Sequence, residues 1–186
     1  MARFVPGKVV RQFSLQGKKV VFRYPKRSDL GNFLRHINSL VEERACIPIQ
    51  KRQTRAQKKK WLADFFQSAR KGNQALVCVY MDGKYAGNSG LTRNKGDARR
   101  HVATLGIVIE KKFRNMGIGT ELMKTMEQLA RKEMGARVLE LSYFEENLKS
   151  RHVYEKLGYR EVGRIPMGIN HYGKYMDEVI MVKVLE

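Results

Sequence analysis

The segment Arg114-Asn115-Met116-Gly117-Ile118-Gly119-Thr120 brings a cation, two glycines and a hydroxyl together in one short stretch. It follows the apolar run His101 to Ile109 and leads into Ile118, Leu122, Met126, Leu129 and Ala130, which recur at helical spacing. The spacing therefore predicts a strand-to-helix junction. Glycines at such a turn let the backbone approach a ligand, while the helix start offers unpaired N–H groups and a positive dipole end. The chemistry that suits this is the cradling of a pyrophosphate. No Gly-Lys-Ser/Thr follows, which excludes a P-loop, and the absence of Gly-x-Gly-x-x-Gly excludes the dinucleotide fingerprint. On residues alone, a glycine-rich turn that serves only tight packing is the other reading.

Asn147 stands directly before an expected short helix, Leu148 to Leu157, where it suits an N-cap. Tyr154 shares a helix face with Val153 and Leu157, as a core aromatic would. Neither Cys46 nor Cys78 has a second Cys or a His at ligand spacing. Two reduced thiols are expected, with no disulfide framework and no metal.

The elements that must position these residues are legible from pattern. A strand pair, Val9 to Ser14 and Lys18 to Tyr24, turns at Gln16-Gly17, and Pro25 ends it. An amphipathic helix then carries Leu30, Phe33, Leu34, Ile37, Leu40 and Val41 behind the cap candidate Ser28. A second helix from near Thr54 to Gly72 carries Trp61, Leu62, Phe65, Phe66 and Ala69 on one face, with Lys58, Lys59 and Lys60 at its front. Ala75 to Tyr80 and Lys84 to Thr92 form a hairpin around Asp82-Gly83. After an exposed loop come the strand His101 to Ile109, the long helix between Gly117 and Gly135, and the buried strand Val138 to Tyr143. That order implies a parallel pair with a right-handed crossover. Strands Tyr159 to Ile165 and Glu178 to Val184 follow the short helix.

With 186 residues, 42% of them apolar and 30% charged, the chain suits one domain, 1–186, with residues 1–17 as a short extension. No secretory or membrane-spanning apolar run occurs, so a soluble, cytoplasmic protein with no membrane partner is expected, as monomer or homodimer. Residues 1–100 hold 23 Lys and Arg against 6 Asp and Glu, a balance of +17, whereas residues 101–186 hold 14 against 12. Charge confined to one half predicts a basic face that favours anionic partners, with a merely solubilising surface as the alternative.

Arg114-x-x-Gly117-x-Gly119 resembles the acetyl-CoA signature of the GNAT superfamily of N-acetyltransferases, Gln/Arg-x-x-Gly-x-Gly/Ala. Asn147 and Tyr154, within Tyr154-Glu155-Lys156-Leu157-Gly158-Tyr159, match a second family feature in the expected order. The likeness spans about Lys18 to Glu186. It implies a mixed α+β fold (α/β), with a central mostly antiparallel sheet, one splayed parallel strand pair and helices on both faces. It also implies acetyl-CoA as co-substrate, bound by Ile107, Val108, Ile109, the segment Arg114, Asn115, Met116, Gly117, Ile118, Gly119 and Thr120, and by Asn147 and Tyr154. A splayed pair leaves backbone groups unpaired, which the pantetheine amides can satisfy, and one N–H can stabilise the oxyanion.

The resemblance makes Tyr154 the general acid to the departing thiolate. Transfer from a phenol of pKa about 10 to a thiolate of about 8.5 is uphill by roughly 2 kcal/mol, so hydrogen bonding matters as much as full transfer. An acceptor amine of pKa about 10 is neutral in only about one molecule in a thousand at pH 7, so a base must help. The position at which some relatives carry a glutamate falls here on Ala103. His101, on the same strand face, and Glu110 are the candidate bases, with Glu42, Glu43 and a water chain as alternatives. Glu42 to Lys60 and Pro166 to Tyr175 are expected to shape the acceptor pocket.

The expected reaction is acetyl transfer to a primary amine, on a small molecule or a protein N-terminus or lysine, by direct attack in a ternary complex. The rival is a basic nucleic-acid- or ribosome-binding module that keeps the fold without catalysis, motivated by the +17 half and by Lys58-Lys59-Lys60 beside Trp61. Both meet if the acceptor is acidic or attached to an anionic partner.

Overall fold

The computed structural model describes residues 4–185. Strands β1 (Val9–Leu15), β2 (Lys18–Arg23), β3 (Gln74–Met81), β4 (Lys84–Arg93), β5 (Val102–Ile109), β6 (Val138–Phe144), β7 (Arg160–His171) and β8 (Lys174–Val184) alternate with helices. These are α1 (Leu30–Glu42), α2 (Arg55–Arg70), α3 (Ile118–Met134) and α4 (Leu148–Lys156). The strands form one sheet in the order β1-β2-β3-β4-β5-β6-β8-β7. Every step is antiparallel except β5–β6, the parallel pair that α3 crosses. This is the mixed, mostly antiparallel architecture expected. Val9–Leu15, read from sequence as part of an extension, is its edge strand.

Strand alternation sorts the core into two layers. On β3, Leu76 and Cys78 pack with Phe33, Leu62, Phe65, Phe66 and Ala69 of α1 and α2. Val77 and Val79 point the other way, toward Ile118, Leu122, Met126 and Ala130 of α3. Helices thus cover both faces of the sheet.

Three local expectations are corrected. Ser28 does not cap α1; the chain enters through a 3-10 turn, Arg27–Asp29. Asp29 organises it by accepting from the Lys26 N–H at 2.7 Å and from both terminal nitrogens of Arg23 at 2.8 and 2.7 Å. Second, the basic run at the front of α2 is split. Lys59 and Lys60 are exposed, but Lys58 is only 7% exposed, because helical spacing aligns it with Leu62, Phe65 and Ala69. Trp61, expected on the buried face, sits at its margin, 39% exposed. Third, the last hairpin is longer than expected. Pro166 and two glycines suggested a loop, yet the strands run on to a tight turn at Tyr172-Gly173, both with positive φ. Residues 166–168 form a bulge between Ile165 and Ile169 on the outermost strand, where the N–H that proline lacks is not required by a neighbour.

Candidate active site

The parallel ladder between β5 and β6 is short. Val102, Ala103 and Thr104 pair with Val138, Leu139 and Glu140, after which pairing stops although both strands continue. At this end of β5 the Glu110 N–H donates to the Ala86 carbonyl at 2.9 Å. Even-numbered residues therefore turn their backbone groups to β4, and Ile107 and Ile109 turn theirs into the gap. The Ile109 carbonyl accepts from Arg114 Nε at 2.9 Å. The gap opens into a cavity of about 440 Å³.

The cradle lies at one end of that cavity. Gly117 is the N-cap of α3 with φ +81, and nothing lies within 4 Å of a Cβ built on it. It is required for its left-handed backbone rather than for space. Ile107, Val108, Ile109, Arg114, Asn115, Gly117, Gly119 and Thr120 all line the cavity, as do Asn147 and Tyr154. Met116 and Ile118 do not: Ile118 is 1% exposed in the core and Met116 packs against the same core, so only their backbone can serve a ligand.

Asn147 caps α4, its Oδ1 accepting from the Ser150 N–H at 3.3 Å. Tyr154 is buried against the rings of Tyr143 and Tyr159 at 5.8 and 6.1 Å. Burial raises its pKa above the ordinary phenol value, with the Ser150 side chain acting weakly in the opposite sense.

The structure does not bring the candidate bases into the cavity. His101 precedes the strand, at the end where β5 and β6 are paired; its carbonyl accepts from the Arg137 and Val138 N–H groups, and its side chain is exposed. Sharing a face with Ala103 places it along the strand away from Ile107, not toward the gap. Glu110 lies just beyond β5, with its carboxylate 3.3 Å from Lys112. Glu42 pairs with Arg52 and Glu43 with Arg114. Among the described residues, the titratable side chains that line the cavity are Arg44, Cys46, Arg114, Lys149 and Tyr154. Cys46 is exposed, and partial desolvation together with Glu146 pushes its thiol up against the opposing charge of Arg114. No group of His, Cys, Asp and Glu among the described residues could hold a metal ion.

Arg44, Cys46 and Ile47, which also line the cavity, lie within Glu42 to Lys60, the stretch expected to shape the acceptor pocket, whereas Lys149 lies outside both expected segments. Lys149, in the first turn of α4 two residues after Asn147, is within reach of sequence reasoning; for the loop after α1 it is the family resemblance, and no local pattern, that points to the pocket. That loop touches the last hairpin. The Tyr172 N–H donates to Gln50 Oε1 at 3.0 Å, the Tyr172 hydroxyl reaches the Val41 and Gln50 carbonyls at 3.2 and 3.3 Å, and the Arg44 guanidinium lies 4.9 Å from the Tyr172 ring centre. The two segments expected to shape an acceptor pocket thus meet.

The chain is 27% identical over 111 residues to an L-amino acid N-acetyltransferase, AaaT, of Escherichia coli (strain K12), covering 60% of this chain and 67% of that protein. Among solved structures, yncA of Salmonella typhimurium, determined with its cofactor acetyl-CoA, superposes with a TM-score of 0.79 at 16% identity, over 90% and 94% of the two chains. A ribosomal-protein-alanine N-acetyltransferase from Brucella melitensis does so with a TM-score of 0.79 at 22% identity, over 88% and 99%. These two share the fold. Residues 38–159, from within α1 to the start of β7, match the model of the acetyltransferase (GNAT) family. With the strand gap, the cradle and the family pattern in one chain, this protein belongs to the GNAT family and is an acetyl-CoA-dependent N-acetyltransferase.

Proposed function

We propose that the protein moves the acetyl group of acetyl-CoA to a primary amine by direct attack in a ternary complex, the whole chain, 1–186, acting as one domain. The observation that carries this is the β5–β6 gap, which opens onto the two-glycine cradle while Tyr154 lines the same cavity. Acetyl-CoA supplies a thioester, an acyl group already activated for attack.

In this reading the N–H groups at the start of α3 hold the diphosphate, with positive charge added by Arg114, Arg44 and Lys149. The gap-facing backbone of Ile107 and Ile109 holds the pantetheine arm, and an N–H there stabilises the oxyanion. Asn147 orients the start of α4. Tyr154 stays protonated because burial disfavours its phenolate, and it gives a hydrogen bond or its proton to the sulfur as the C–S bond breaks. The cavity lining offers neither carboxylate nor imidazole, so the amine proton leaves through water rather than through His101 or Glu110.

The named relatives act on amino acids and on a ribosomal-protein alanine, both of which present a primary amine. The test is release of free CoA thiol across amino acids, polyamines, antibiotics and peptide N-termini or lysines. Turnover with at least one amine is expected. Absence of thiol release with every class, together with absence of CoA binding, would overturn the reading.

A further inference from the structure

The end of the sheet opposite the cavity gathers cations from three segments far apart in the chain. The Arg93 N–H donates to the Asn73 carbonyl at 2.9 Å, the Asn94 N–H to the Val102 carbonyl at 3.0 Å and the Arg137 N–H to the His101 carbonyl at 2.8 Å. The turn after α2, the loop from β4 to β5 and the turn from α3 to β6 therefore lie side by side. The Arg93 guanidinium adds bonds to the Arg100 carbonyl at 2.7 Å and to the Met134 carbonyl at the end of α3. Arg99 reaches Glu140 at 2.8 Å, which holds the loop against β6.

Residues 70–73, 93–101 and 131–137 hold nine Lys and Arg against two Asp and Glu. Of those two acids, Glu133 accepts from the Tyr24 hydroxyl at 2.6 Å. Among the described residues, Arg70, Lys71, Lys95, Arg100, Lys132 and Arg137 are exposed and form no ion pair. The patch joins cations of the strongly basic half to others of the balanced half, so the fold assembles it. Both α2 and α3 end here, and their negative dipole ends account for Arg70, Lys71 and Lys132 at most. Lys95, Arg100 and Arg137 lie outside both helices. CoA does not account for them either: α3 is 17 residues long, which puts the cradle at its other end roughly 25 Å away.

The chemistry of a partner follows from what the patch carries and what it lacks. No Phe, Tyr or Trp occurs in the three segments, so they offer no platform on which single-stranded bases could stack. Among the described residues, none of the exposed large apolar side chains lies on them, which leaves no anchor for a protein partner and nothing to insert into a membrane. Phosphate suits the surface, and six of the nine cations are arginine, whose planar fork matches it. Loop 94–101 is folded back on β5 and β6 rather than projecting as entry into the major groove of B-form DNA would require. A-form RNA instead presents phosphates and 2′-hydroxyls around a wide, shallow groove that a surface of this kind can follow. We propose that this end of the sheet docks double-stranded RNA, by charge and shape and without reading sequence. The proposal is independent of which amine is acetylated, and RNA seated here leaves the cradle free for CoA.

The test is fluorescence anisotropy of a labelled RNA duplex of about 16 base pairs, enough to present two minor grooves, titrated with the full chain at several salt concentrations. The DNA duplex of the same sequence and polyglutamate are the competing probes. For RNA a Kd of about 1–100 μM is expected at physiological salt, weakening steeply as salt rises, with DNA at least about threefold weaker and polyglutamate weaker still. Lys95→Gln/Arg100→Gln/Arg137→Gln should keep the wild-type Tm and CoA affinity, bind RNA about tenfold or more weakly, and lower the log–log salt slope by about 2–3. Lys59→Gln/Lys60→Gln/Lys84→Gln removes as much charge from exposed positions elsewhere and should cost about twofold at most. The proposal is overturned if RNA does not bind at physiological salt, or if DNA or polyglutamate binds as tightly. It is equally overturned if the folded patch variant binds RNA as wild type does, or if the charge-matched variant loses as much.

Discussion

Arg114 and Glu43 form an ion pair that ties the cradle loop to the end of α1. The side chain that begins the family signature is therefore already engaged by an acid before any phosphate arrives, and by the Ile109 carbonyl as well. An incoming diphosphate must compete with Glu43 for this guanidinium.

Glu43→Gln should accordingly tighten CoA binding a few-fold, about 0.5–1 kcal/mol, the range for a part-exposed pair. Calorimetry with CoA at low and moderate salt measures it. Weaker binding in the variant would mean that Glu43 holds the loop in its binding shape instead.

The two cradle glycines should fail in different ways. At Gly117, φ +81 with open space around it predicts that Ala costs about 1 kcal/mol of strain and lowers the Tm by a few degrees. Gly119→Asp places a carboxylate at the cavity wall, and a loss of CoA affinity of about tenfold or more is expected. Unchanged affinity in folded Gly119→Asp would remove the phosphates from this turn.

Tyr154→Phe should keep acetyl-CoA affinity and lower kcat by about ten- to a hundredfold, because the hydroxyl acts on charge that appears only as the thiolate leaves. Since burial raises the Tyr154 pKa, ionisation of this residue should produce no falling limb in the rate below its ordinary value of about 10. Wild-type turnover with chemistry rate-limiting would leave Tyr154 a core residue only.

The pair Arg23–Asp29 should set part of the acid stability. Burial alone would raise the Asp29 pKa, but the bonds from Arg23, the Lys26 N–H and Tyr80 outweigh it and hold the carboxyl below the usual range. A lowered folded pKa means that this stability is present above the unfolded value of about 3.9 and is lost as the pH falls through the folded value. Asp29→Asn should cost about 3 kcal/mol at pH 7 and flatten that acid limb. Urea titrations from pH 7 down to pH 3 check both.

How far the amino-acid order reaches follows from the range of each interaction. The Gly117 cradle, the Asn147 cap and the apolar periodicity of α1 and α3 depend on residues within about one or two turns of each other, so the pattern alone was enough to find them. Lys58 was misread even so, because three adjacent lysines look alike until helical phase sorts one of them inward. What no local pattern carries is where β5 leaves β6. That point, after Thr104, separates His101 at the paired end from Ile107 at the open one, although both belong to the same apolar run. It also decides that Arg44 and Cys46 reach a cavity whose floor lies some sixty residues further along the chain. Beyond that point Leu105 of β5, Leu141 and Tyr143 of β6, Ile118 and Leu122 of α3 and Tyr154 of α4 share one core cluster, and contacts among segments so far apart in the chain exist only once the whole core is assembled.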